Sequence, residues 1–301
     1  MQTTQKTAYI YALASVLAWS TVSSAFKLTL KHLTPLGLLL FSALSATVFL
    51  AGVNLAQGGF RAEGNARRDW LRSLPAGLLN PYVYYLMLFV AYDRLRAQEA
   101  QVLNYTWAIV LSLLSVLILK ERFRLRDLGS LCLSFLGVIL ISTRGRILSL
   151  TFTDPLGSAL AVATSLVWAG YWILNMRDRS PVVGRLLRNF LWGSLATVLY
   201  AFLRGSLNQA GLFTVTGNPG WGLLGALYVG IFEMGLTFIL WQKALSSSGS
   251  TSSVANLIFL TPFISLIFIA LILRENIHPA TLAGLVVIVG SNLWQKKRER
   301  R

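Results

Sequence analysis

Long apolar runs separated by short polar connectors organise this chain from end to end. They fall near residues 8–30, 34–56, 74–92, 99–119, 128–143, 155–176, 189–204, 221–242, 254–273 and 279–295. At 1.5 Å per residue, the uncharged stretch from Ala8 to Phe26 extends about 28 Å, close to the ~30 Å hydrocarbon core of a bilayer. The pattern therefore predicts an all-α membrane protein of ten transmembrane helices. The fifth, seventh and tenth runs are short, and such spans are accommodated by local thinning of the bilayer or at the edge of a bundle. Ala12-Leu13-Ala14 looks like a signal-peptidase site, but the apolar run is longer than a signal core, so the first segment reads as a true span. The longest connectors, 57–73 and 205–220, leave no room for a folded soluble domain. Any chemistry has to sit inside the bundle.

Composition agrees with that pattern: 55% of the 301 residues are hydrophobic and 13% charged, with a mean hydropathy of +0.62. A formal net charge of +16 would suggest a nucleic-acid partner in a soluble protein. Here the charges lie between the apolar runs and record orientation instead. Counted on alternate sides of ten spans, 19 Lys and Arg fall on the side of the N-terminus and 7 on the other, with Lys27 near the end of the first span. Both termini are thus predicted in the cytoplasm of a bacterial cell, with the chain in its inner membrane. A single cysteine, Cys132, excludes an intrachain disulfide and a cysteine metal cluster, and His32 and His278 fall in connectors. No HExxH, nucleophile elbow, phosphate loop or Asp cluster occurs, so no enzyme activity, cofactor or metal is expected.

Two stretches match at an offset of 154 residues: WAIVLSLLSVLILKERF, from Trp107 to Phe123, and TPFISLIFIALILRENI, from Thr261 to Ile277. Each ends in Leu-Ile-Leu, a basic residue and a glutamate, and each is followed by another short span. LASVLAWS, ending at Ser20, and VATSLVWA, ending at Ala169, match more weakly. A repeat of five helices is odd, so the second copy must enter the membrane from the opposite side. That divides the chain into 1–146 and an inverted 147–301. Inverted repeats are a transporter signature, with substrate bound near the midplane where the halves meet. The paired Glu-terminated hairpins, Trp19, Trp168 and Thr261-Pro262 resemble the EamA-type ten-helix members of the drug/metabolite transporter (DMT) superfamily. Asn80-Pro81-Tyr82-Val83-Tyr84-Tyr85 and Asn104-Tyr105-Thr106-Trp107 look most like the YddG-type aromatic amino-acid exporters. That resemblance implies export of aromatic and other neutral amino acids through a central cavity.

Independently of resemblance, polar and aromatic residues at mid-membrane depth are the candidates, because lipid cannot satisfy their hydrogen bonds. Asn80 and Tyr84 are four apart and predicted to share a face, beside a helix break at Pro81; alternatively, Pro81 only kinks the span and Tyr82 belongs to an interfacial belt. Asn104 and Trp107 project together, as do Thr164, Trp168 and Trp172, and Trp19 and Ser23. The candidate substrate-binding residues are therefore Trp19, Ser23, Asn80, Tyr82, Tyr84, Tyr105, Trp107, Trp168 and Trp172. Their rings suit offset stacking on an indole or phenyl group and can hold an ammonium over a ring face, though each could equally serve helix packing. Glu233, well inside the eighth span, is a candidate coupling group or cation site, with Thr237 and Asn256 completing the polar cavity. Trp70, Trp221 and Trp294 read as interfacial anchors. Gly225, Gly230 and Gly235 each permit close helix approach. The leading expectation is a secondary exporter of aromatic and neutral amino acids working by alternating access. The alternative is an exporter of drugs or cationic metabolites using Glu233. Only small-molecule substrate and lipid are expected as partners, with the chain a monomer.

Overall fold

The computed structural model describes residues 2–59, 66–107, 125–146, 153–176, 180–247 and 256–296, and positions 110, 114, 178 and 254. Among these residues the chain is helical throughout, and an antiparallel bridge between Leu33 and Phe213 stands outside any strand. Six helical stretches are long and apolar enough to cross a membrane: Lys6–Thr29, Pro35–Ala56, Arg67–Arg94, Pro155–Asn175, Val182–Leu203 and Pro219–Ser246. Three shorter apolar helices, Cys132–Ser142, Leu257–Ile272 and Pro279–Ser291, coincide with the predicted fifth, ninth and tenth spans. The predicted fourth span is described only at its start and at isolated positions beyond it. Its glutamate, Glu121, lies outside the described residues.

The helices are α1 (Gln2–Thr29), α2 (Pro35–Ala56), α3 (Ala66–Gly77), α4 (Tyr84–Arg94), α5 (Ala97–Asn104), α6 (Leu125–Ser142), α7 (Pro155–Met176) and α8 (Val182–Leu203), followed by α9 (Gln209–Leu212), α10 (Pro219–Tyr228), α11 (Thr237–Ser246), α12 (Thr261–Ile272) and α13 (Pro279–Lys296). Local chemistry sets several starts. Pro35 opens α2 behind Thr34, whose hydroxyl accepts from the Gly37 N–H at 3.0 Å, and Asn218 caps α10 in the same way. Asp154 accepts from the Gly157 N–H at 2.7 Å at the start of α7. That bond, with the Arg94 guanidinium at 3.0 Å, holds the carboxyl below the usual aspartate range.

Two spans are interrupted by wide, π-helical turns. Leu78–Val83 joins α3 to α4, with Asn80 in a non-helical conformation (φ −142°, ψ 118°) before a cis peptide to Pro81. Val229–Leu236 joins α10 to α11 and carries Glu233. Each turn packs on a long helix of the other part of the chain. Gly193 of α8 lies against the Pro81 ring and the Gly77 carbonyl, and Gly230 lies against α2 at Ser42 and Ser45. Gly225 and Gly235 approach Thr29 and Phe49 equally closely, as expected for helices in tight contact.

Packing follows a reciprocal pattern. α1 lies on α11 and α12, as α7 lies on α4 and α5; α2 packs on α10 and the second turn, as α8 packs on α3 and the first. α2 also meets α8, and the short α6 and α13 pair with one another. Gly137 and Gly284 allow that last approach, and Ser134 and Ser291 hydrogen-bond across it at 2.8 Å. At one end of the bundle Glu275 accepts from the Ala97 and Gln98 N–H groups that open α5, at 3.1 and 3.5 Å. The Gln98 amide completes the clasp, donating to Glu275 and the Asn276 carbonyl and accepting from the His278 N–H. The outside is apolar: Val48, Leu55, Phe202, Leu203 and Leu271 are exposed, while Ser20, Ser42, Thr164, Thr197 and Ser265 are fully buried. This inside-out distribution suits lipid, where an unpaired polar group has no solvent.

Candidate functional site

A partly open cavity of about 290 Å³ lies among α1, α4, α5, α7, the second π turn, α11 and the start of α12. Its wall is aromatic because α1, α4, the residues just after α5, α7 and α11 each contribute at least one ring. Trp168 of α7 is central, 4.8 Å from Tyr84 and 5.7 Å from Phe238 between ring centroids. Phe238 meets Trp19 edge-on at 5.7 Å, Trp19 reaches Trp241 at 5.6 Å, and Trp172 stands edge-on to Trp168. Further along α1, Phe26 packs edge-on against Tyr92 at 5.2 Å. Edge-to-face contacts of this kind leave ring faces available to a flat guest.

The polar groups sit between the rings. The Tyr84 hydroxyl donates to Asn104 Oδ1 at 3.3 Å, and Asn104 Nδ2 donates to the Thr164 hydroxyl at 2.8 Å, so three helices hold the amide in place. Ser23 and Tyr92 share a hydrogen bond of 2.7 Å. Glu233 accepts from the fully buried Tyr85 hydroxyl at 3.0 Å through one carboxylate oxygen, and the other oxygen has no partner among the described residues. Gln101 Oε1, Trp172 Nε1 and Thr261 Oγ1 are likewise unpaired among the described residues, and all three residues line the cavity. A carboxylate, an amide oxygen, an indole N–H and the Thr261 hydroxyl are thus the groups left to meet a ligand. No cluster of three His, Cys, Asp or Glu side chains occurs among the described residues.

Of the residues predicted from sequence, Trp19, Ser23, Tyr84, Tyr105, Trp107, Trp168, Trp172 and Glu233 all line this one cavity. Asn80 does not. Its non-helical backbone breaks the register that would have put it on the face of Tyr84, and its buried amide has no hydrogen-bond partner among the described residues. Tyr82 also lies elsewhere, packed on Tyr200 of α8 at 5.9 Å. Thr237 is buried and donates to the Phe232 carbonyl in the preceding π turn. The Asn256 side chain is outside the described ones. Sequence reasoning passed over Gln101, Tyr92, Trp241 and Thr261, although spacing could have found the first three. Gln101 is one turn before Asn104, Tyr92 two turns beyond Tyr84, and Trp241 two turns beyond Glu233.

Two smaller features flank the cavity. Lys27, Lys31, Asp93 and Glu275 surround a charged hollow of about 250 Å³ beyond Phe26 and Tyr92. At the other end a narrow pocket is bounded by Trp172 and Trp241, the same rings that wall the main cavity, and by Arg185 and Asn175. The apolar run had put the seventh span at 189–204, with Arg185 and Arg188 in the preceding loop. The helix in fact begins at Val182 behind Pro181, and both arginines are buried within it.

A helical bundle with repeated apolar spans enclosing an aromatic cavity with polar groups between its rings is a multi-pass membrane protein built to pass small molecules. The EamA-like transporter family matches residues 6–143 and again 155–294, and the chain belongs to that family. An uncharacterized transporter of Archaeoglobus fulgidus is 26% identical over 299 residues, covering 98% of this chain and 99% of that one. The uncharacterized transporter YxxF of Bacillus subtilis is 24% identical over 85% of this chain and 79% of its own. Protein PecM of Dickeya dadantii is 25% identical over 73% and 71%. A solved crystal structure shares the fold at a TM-score of 0.64 over 99% of both chains, with 19% identity. The chain is a transporter; none of these three relatives' names specifies a substrate.

Proposed function

We propose that the protein is a secondary transporter that exports aromatic and other neutral amino acids from the cytoplasm across the bacterial inner membrane. The observation that carries this reading is the cavity, where Trp19, Tyr84, Trp107, Trp168 and Trp172 surround the unpaired oxygens of Glu233 and Gln101. Rings of that number suit an indole or phenyl side chain, and the two oxygens suit an α-ammonium group. The organisation proposed is ten spans in two inverted halves, 1–146 and 147–301. The two family matches fall one on each half, and the most extensive pairings of helices between halves recur when the halves are exchanged. Both termini are placed in the cytoplasm by the excess of Lys and Arg on their side. Substrate is exposed to the two sides in turn by rocking about the cavity.

The test is uptake of labelled tryptophan and phenylalanine into liposomes holding the purified protein, with and without a pH gradient. Trp107→Ala and Tyr84→Phe are expected to lower uptake severalfold, while Tyr82→Phe, away from the cavity, leaves it unchanged. Absence of transport of any amino acid overturns the substrate assignment. The unpaired Glu233 oxygen also favours a second reading, export of organic cations. Glu233→Gln would then abolish cation export and spare amino acids.

A further inference from the structure

The pocket beyond Trp172 and Trp241 contains a charge that the cavity reading does not use. Its wall is made by Tyr171, Trp172, Asn175, Val182, Arg185 and Gln242, with further contacts from α8 and α11. Its volume, about 20 Å³, holds one or two waters or the head of a carboxylate. Arg185 is nine-tenths buried, and its Nε has no partner among the described residues. One terminal nitrogen donates to the Asp178 backbone carbonyl at 2.5 Å. The neighbouring Arg188 is occupied: Nε meets the Ser73 hydroxyl at 3.1 Å, and Nη2 meets the Ser180 hydroxyl at 2.6 Å and the Asp178 carboxylate at 3.7 Å.

Two buried guanidiniums thus face one carboxylate among the described residues, leaving a net positive charge in a low-dielectric setting. Buried charge of that kind calls for a counter-ion. The start of α8 adds to it, since Pro181 provides no side-chain cap and the first N–H groups point toward the same end of the helix. Val182 and Arg185, from that first turn, both line the pocket. A planar guanidinium edge matches the two oxygens of a carboxylate better than a single-centred cation does.

The geometry points to a carboxylate-binding site at Arg185, with Asn175 and Gln242 beside it, on the cytoplasmic side of the Trp172–Trp241 partition. This rests on the transport reading above and deepens it: the substrates carry a carboxylate, captured here before the ring passes the partition into the aromatic cavity. An amine without a carboxylate has no use for the site.

Equilibrium binding of tryptophan, indole-3-acetate and tryptamine to the full-length protein in phosphatidylcholine nanodiscs provides the test. Arg185→Gln should weaken tryptophan and indole-3-acetate at least about tenfold and leave tryptamine within about twofold, the difference set by one charge-assisted contact. Arg185→Lys, which keeps charge but loses the fork, should recover part of the loss; it carries the same comparison if the Gln variant does not fold. Equal losses for all three probes, or no loss, overturn the site, as does a wild-type protein that binds neither carboxylate. If indole-3-acetate binds through Arg185 but tryptophan is not transported, the amino-acid reading falls and the site stands. If Arg185→Gln transports tryptophan like the wild type, the site falls and that reading stands.

Discussion

Replacing Tyr85 by Phe removes one hydroxyl from the deepest part of the bundle. The ring keeps its place, because it is fully buried and packed on Tyr84 at 4.9 Å and Phe89 at 5.4 Å. Glu233 then loses the donor of its 3.0 Å bond, and since its other oxygen has no partner among the described residues, the carboxyl is left without one there. Orphaning a buried acceptor costs about 1–3 kcal/mol. Replacing Glu233 by Met instead orphans the Tyr85 hydroxyl, and removing both groups restores the balance. In the Met background Tyr85→Phe should therefore be neutral or stabilising, giving a coupling of about 1–3 kcal/mol across the cycle. Thermal midpoints followed by tryptophan fluorescence at one scan rate in one detergent read this out. For a chain this long the single Phe variant should lower the midpoint by roughly 2 °C or more. Midpoints that fall additively across the four proteins would falsify the pairing.

Gly193→Val should destabilise by about 1–3 kcal/mol, because a side chain there runs into the Pro81 ring and the Gly77 carbonyl. Gly52→Ala, with open space around it, should keep or slightly raise the midpoint; equal midpoints for the two variants would sink the claim of close approach. Asp178 supplies a pH signature. Burial acts to raise its carboxyl, but the Ser180 hydroxyl and N–H, with Arg185 and Arg188, outweigh that and leave it below the usual range. A carboxyl depressed in the folded state adds stability above about pH 4, its ordinary value, and loses it as pH falls through the lower folded value. Wild type should accordingly exceed Asp178→Asn in midpoint at pH 6, with the gap closing on acidification; a gap that is independent of pH contradicts this.

Element positions were legible because length and hydropathy decide them: seven predicted spans coincide with described helices to within a few residues, while the third begins at Arg67 instead of 74 and α8 at Val182 instead of 189. That difference has a physical source. Arg185 and Arg188 look like loop residues by charge, but Ser73, Ser180 and Asp178 supply partners inside the helical layer, and no hydropathy window contains that information. The cavity was legible where helical spacing holds, at Trp19 and Ser23 or Trp168 and Trp172. It failed at Asn80 because the break rotates the chain between Asn80 and Tyr84, so a four-residue spacing no longer means a shared face. Glu233 stood out as a charge among apolar residues, whereas its partner Tyr85, from a distant span, carried no local mark.

The reciprocal packing has a consequence for how the molecule opens. α1 and α2 are bound chiefly to α10, α11 and α12, and α7 and α8 to α3, α4 and α5, so each cohesive body mixes the two sequence repeats. The cavity lies on the seam, with Trp19, Glu233, Trp241 and Thr261 on one body and Tyr84, Asn104, Trp107 and Trp168 on the other. The most extensive contact across that seam is α2 on α8. The chain passes between bodies after α2 and again after α8, where the two longest connectors predicted from the sequence occur. A cycle that parts this seam would pivot about α2 and α8 and flex those two links, shearing each repeat internally instead of swinging one intact repeat against the other.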